Sequence, residues 1–218
     1  MKQFKLTLVL LSIIFYSYSQ GDFKAGAEKM KSLVEAENYR EAMQYGDKLI
    51  GEGVKEGYEK YAGQVYLYRG IAKFNFEIFD DAIVDLKQGV AFNKTLTEAY
   101  YYIAEIYYDL SSYSMALENV IYFLEQHPDD TKGLALKSRC LLELGEPMAA
   151  KIIIQKAIAL VSSDPELYYV RASVNRALGE DDKACKDAKI SYKFGYEDAK
   201  GLVDSYCGNS EDGTKTQK

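Results

Sequence analysis

The chain has 218 residues, 48% hydrophobic and 28% charged, a balance that suits one core-forming domain or one short repeat array. Trp is absent, only three Pro occur and Tyr reaches 20, a composition fitting helices joined by short connections better than a loop-rich fold. The formal charge is −6 with no basic run, which argues against a nucleic-acid partner, because phosphate binding needs a clustered positive field.

The first predicted element is a signal peptide at 1–19. Lys2 and Lys5 form a positive start, and Leu6 to Tyr16 is an apolar run broken only by Thr7 and Ser12. Ser17 and Ser19 supply the small residues of a cleavage site before Gln20. The run is roughly half the ~20 apolar residues that a spanning helix needs. Cleavage would remove two lysines and take the charge from −6 to −8. No Cys follows the run to accept a lipid, so the expected mature protein is periplasmic or secreted and has no transmembrane segment.

Beyond a first helical stretch and a glycine-bearing connection from Gly51 to Gly57, the chain repeats. Gly70, Ala104, Ser138 and Ala172 are each 34 residues apart, and so are Ala82, Ala116, Ala150 and Ala184. A third series, Tyr66, Tyr100, Leu134 and Tyr168, runs in the same register. Within each copy, apolar residues recur at three and four, as in Tyr100, Ile103, Ala104 and Tyr107, which makes a stripe along one helix face. A break follows. Gly145 and Gly179 suit the left-handed residue that ends a helix, and Pro147 suits the first turn of the next. Each copy therefore reads as a hairpin of a helix A and a helix B, with the small residues marking close approach. A final helix at 197–207 is predicted to cap the array, and residues 208–218 form a polar, disordered tail.

This pattern resembles the tetratricopeptide repeat. Four units match, at 63–96, 97–130, 131–164 and 165–198, and a weaker one precedes them at 23–56 through Tyr39, Ala42 and Leu49, offset by six extra residues. Pro128 sits where the family places its proline; Phe123 occupies a place usually small, and Pro165 falls three residues late. The resemblance implies an all-α fold, a right-handed superhelical solenoid of about five helix-turn-helix hairpins whose A helices line a concave groove. Gln64, Leu67, Ile71 and Phe74 would then face the groove, followed by Glu98, Tyr101, Glu105 and Tyr108. Lys132, Ala135, Arg139 and Leu142 come next, then Glu166, Tyr169, Ser173 and Arg176. Tyr66, Tyr100, Tyr107 and Tyr168 are expected in the core. Of the groove residues, Phe74, Tyr101, Glu105, Tyr108, Arg139, Tyr169 and Arg176 are the candidates for partner contact, since Tyr and Arg dominate binding hot spots. Glu105 and Ser173 stand where a carboxylate clamp would need basic or amide groups, which disfavours a clamp for a chain terminus.

Three cysteines remain, Cys140, Cys185 and Cys207. The segment Ala184-Cys185-Lys186-Asp187 with Gly195 and Tyr206-Cys207 resembles the C-terminal end of exported tetratricopeptide proteins of Bacteroidetes-type bacteria, and that resemblance implies a Cys185–Cys207 bridge. Cys140 reads as a small buried residue. No second Cys or His stands at ligand spacing for a metal, no phosphate-binding loop precedes a helix, and no cofactor is expected. The single histidine, His127, precedes Pro128 at a turn between copies, and the acidic pairs Asp80/Asp81 and Asp129/Asp130 fall at helix starts. Catalysis is not expected. The chain reads as a monomeric or weakly self-associating scaffold for a protein or peptide partner in envelope assembly or secretion; a structural self-associating solenoid and a carbohydrate-binding accessory protein using Tyr101, Tyr108 and Tyr169 are the alternatives.

Overall fold

The computed structural model describes residues 23–54 and 56–207, and the expected signal peptide and disordered tail lie outside them. Helix α1 covers residues 23–35. It is followed by α2 (Tyr39–Gly51), α3 (Glu59–Phe74), α4 (Phe79–Phe92) and α5 (Glu98–Asp109). Then come α6 (Tyr113–Gln126), α7 (Thr131–Glu143), α8 (Pro147–Leu160), α9 (Pro165–Ala177), α10 (Asp181–Lys193) and α11 (Ala199–Cys207). No strand occurs among the described residues. The helices form two compact units, one ending at Ile106 and one beginning at Tyr107, so the boundary falls inside α5.

In the first unit, Phe23, Ala27, Met30 and Leu33 of α1 pack with Ala42, Leu49, Tyr58, Ala62 and Val65 into one core. Helix α3 packs on both α2 and α4. That double contact overturns part of the groove expectation: Leu67 and Ile71 are 1% and 3% exposed and belong to the core. Ala135 of α7 is likewise buried, because α7 packs on α6, α8 and α9. The tyrosine expectation also shifts. Tyr66, Tyr100, Tyr107 and Tyr168 are half-buried, and among the described residues the fully buried tyrosine is Tyr58.

The small-residue series meet the close approaches that their size allows. Ala82, Ala116, Ala150 and Ala184 are fully buried, as are Ala104, Ser138 and Ala172. Ser138 donates its hydroxyl to the Ala150 carbonyl at 3.0 Å, tying α7 to α8 where the two small series cross. Phe123, the large residue at a usually small place, is accommodated by a glycine opposite: a Cβ on Gly133 would lie 2.8 Å from its ring.

A period also appears in the backbone. Glu37, Glu77, Ser111, Gly145 and Gly179 all adopt positive φ, between 56° and 79°. They are spaced by 40, 34, 34 and 34 residues, and the first interval is one period plus the six extra residues. Each lies just past the end of an A helix, and the N–H of the next residue closes the turn. Examples are Ile78 N to Lys73 O at 3.0 Å and Glu146 N to Leu141 O at 2.8 Å. Three non-glycine residues therefore hold a left-handed conformation that costs an L-residue ~1–2 kcal/mol. Ser111→Gly is expected to stabilise by about 0.5–1 kcal/mol and Gly145→Ala to destabilise by a similar amount, read from urea midpoints. Equal midpoints for both variants would contradict this reading of the turns.

Candidate functional site

The A-helix residues of the second unit converge on a cleft of about 320 Å³. Tyr108 enters from the end of α5, Arg139, Leu142 and Glu143 from α7, and Glu166, Tyr169, Val170 and Ser173 from α9. Tyr196 and Asp198 complete it from the turn before α11. Helical spacing explains the contributions of α7 and α9. Arg139 and Glu143 are one turn apart on α7, and Glu166, Tyr169 and Ser173 recur at three and four on α9.

Within the cleft the Arg139 guanidinium lies over the Tyr108 ring, 4.1 Å from its centroid. The Tyr108 hydroxyl faces Glu143 Oε1 at 3.5 Å. Burial pushes the Tyr108 hydroxyl above its ordinary pKa, with Arg139 opposing and Glu143 adding to the rise. Tyr169 and Tyr196 form a second ring pair, with centroids 5.1 Å apart and planes at 51°. The Tyr196 hydroxyl is also raised, first by burial and then by the charges of Glu166 and Asp198.

Of the candidate contact residues, the structure brings Tyr108, Arg139 and Tyr169 together at this cleft. Arg176 stays outside it, paired with Asp181 at 2.6 Å and lying over the Tyr206 ring. Phe74, Tyr101 and Glu105 belong to the unit that ends at Ile106. There Phe74 packs edge-on against Tyr102, and the Tyr101 hydroxyl donates to Glu105 Oε1 at 2.7 Å. Tyr196 and Asp198 escaped the sequence reading because they lie past the last periodic helix. Their signal is Gly195, whose φ of 94° turns the chain back after α10.

The first unit carries its own tyrosine and carboxylate cluster. Tyr68 and Tyr102 are both pushed up to about 12, first by burial and then by Glu98. Unfolded tyrosines ionise near ~10. The folded state therefore keeps these protons longer than the unfolded state, and stability contributed below pH ~10 is lost as pH rises from there toward 12. In an alkaline titration followed by tyrosinate absorbance, Tyr68 and Tyr102 are expected to be among the latest-ionising groups, and Tyr102→Phe should remove one of these. A single transition near ~10 for every tyrosine would refute the assignment.

Among the described residues no cluster of His, Cys, Asp and Glu could hold a metal ion, and no helix is long and apolar enough to cross a membrane. The Cys185–Cys207 disulfide is present with its Cα atoms 5.0 Å apart, and it joins α10 to the end of α11. Cys140 is buried in α7.

No family model matches the sequence, and no curated protein matches it. Solved structures do. MamA superposes with a TM-score of 0.62 at 17% identity, over 78% of this chain and 96% of its own. A thermophilic TPR protein of Thermus thermophilus gives 0.63 at 16% identity, over 85% and 97%. The chain has the tetratricopeptide-repeat fold. A double mutant of MamA from RS-1 agrees, with a TM-score of 0.66 at 12% identity over 81% of this chain and 96% of that one. Identities this low carry the repeat fold and leave the ligand to be argued from the cleft itself.

Proposed function

We propose that this chain is a protein-interaction module that takes an extended peptide or a partner helix in the cleft between α7, α9 and the turn before α11. The observation that carries the reading is the convergence of Tyr108, Tyr169, Tyr196 and Arg139 on one concavity, since Tyr and Arg supply most hot-spot energy in interfaces. The role is binding, not catalysis. Export to the periplasm or the exterior is part of the proposal, supported by the positive start and apolar run at 1–19 and by the disulfide, which persists in oxidising compartments. An envelope assembly or secretion role is consistent with that location.

The test is affinity capture from an envelope fraction, comparing the wild-type chain with a Tyr108→Ala, Arg139→Ala, Tyr169→Ala variant of unchanged helicity. Proteins held by the wild type and lost by the variant support the cleft as the site. An identical set on both overturns it. A second reading, self-association, is favoured by Met148 and Ile152, one turn apart on α8 and 63% and 67% exposed. Light scattering that shows the monomer mass at every concentration removes that reading.

A further inference from the structure

We infer that the ligand of this cleft presents a basic side chain, a lysine or an arginine of a partner peptide; the inference rests on the cleft being the peptide site. Its lining carries three carboxylates, Glu143, Glu166 and Asp198, against one cation, Arg139, a formal excess of two negative charges (−3 + 1). An acidic segment entering this concavity would meet like charge, and like-charge juxtaposition excludes partners effectively.

The aromatic rings point the same way. A tyrosine face attracts a cation through its quadrupole, and the cleft already holds one such pair, Arg139 over Tyr108. The second ring pair, Tyr169 with Tyr196, stands beside Glu166 and Asp198. The Tyr196 hydroxyl is raised first by burial, and those two carboxylates add to the rise while Arg139 opposes it. Tyrosine rings and carboxylates lining one cleft match the long apolar stem and charged head of Lys or Arg.

The experiment is selection of a displayed random-peptide library on the full chain, and in parallel on a Glu166→Gln, Asp198→Asn variant. Both substitutions keep size and remove charge at half-buried or exposed positions, and unchanged melting confirms the fold. Enriched peptides are expected to share a Lys or Arg. A synthetic copy should lose about tenfold in affinity on the charge-neutralised variant and on replacement of its basic residue by Ala. Added salt should weaken binding to the wild type more than to the variant. Enrichment of neutral or acidic peptides whose binding is lost in Tyr169→Ala overturns the basic-ligand inference and leaves the cleft as the peptide site. Peptides indifferent to Tyr169→Ala, or no enrichment at all, overturn the cleft reading and the inference together.

Discussion

Arg171→Met is expected to destabilise the second unit by about 3–5 kcal/mol, the largest effect of any single substitution considered. Arg171 on α9 grips Asp187 on α10 with both arms, Nε to Oδ2 and Nη2 to Oδ1, each at 2.7 Å. Asp187 is 5% exposed at its side chain, so removing the guanidinium strands a carboxylate away from water. Asn175 Nδ2 alone would still reach it, at 2.9 Å, while Asn175 Oδ1 is buried without a hydrogen-bond partner. The Asp187 hydrogen bonds hold the Arg171 guanidinium above its usual value against the opposing effect of burial. A paired Arg171→Met, Asp187→Leu variant should recover most of the loss, because it removes the charge that was stranded. Urea titration of the three proteins tests this. A single variant as stable as wild type, or a double variant no better than the single, would refute the account.

Replacing both Cys185 and Cys207 by Ser should cost about 3 kcal/mol, the chain-entropy value for a loop of this length. Cysteine separation is 22 residues, and the closed loop contains most of α10, the turn at Gly195 and all of α11. That turn carries Tyr196 and Asp198 into the cleft. Loss of the bridge therefore reaches beyond stability, since a loosened α11 withdraws one wall of the site. Wild-type protein in a strong reductant should melt like the double-serine variant and bind a selected peptide more weakly. Indistinguishable melting with and without reductant would show that packing of α11 on α9 and α10 suffices without the covalent link.

Much of this architecture was written in periodic positions. Three residue series in 34-residue register located the hairpins, and Gly145 and Gly179 marked the turns that close two of them. The same turns at Glu37, Glu77 and Ser111 were invisible to residue type, since nothing in Glu or Ser announces a positive φ; only their register does. The core ion clusters were legible in principle. Arg69 and Arg171 are three periods apart, as are Asp85 and Asp187, and Arg69 Nη2 meets Asp85 Oδ1 at 2.6 Å just as its counterpart meets Asp187. Apolar stripes drew attention away from them. At the cleft, periodicity supplied the contributions of α7 and α9, whereas Tyr196 depends on the direction of an aperiodic turn, which a helical repeat cannot encode. Leu67, Ile71 and Ala135 failed as groove residues because face assignment by spacing ignores which neighbours cover the face.

The two ion clusters also bear on how the chain acquires its structure. Arg69 and Lys73 reach Asp85 across sixteen and twelve residues, and Arg171 and Asn175 reach Asp187 across the same intervals. Contacts so short in sequence close small loops and cost little chain entropy, which favours their early formation. The hairpins α3/α4 and α9/α10, one in each unit, thus have the makings of folding nuclei against which less tightly tied helices condense. Assembly from two such seeds would tolerate the six-residue insertion before α3, because the Arg69–Asp85 and Arg171–Asp187 contacts do not span it, and the Arg69–Asp47 pair that does could close afterwards.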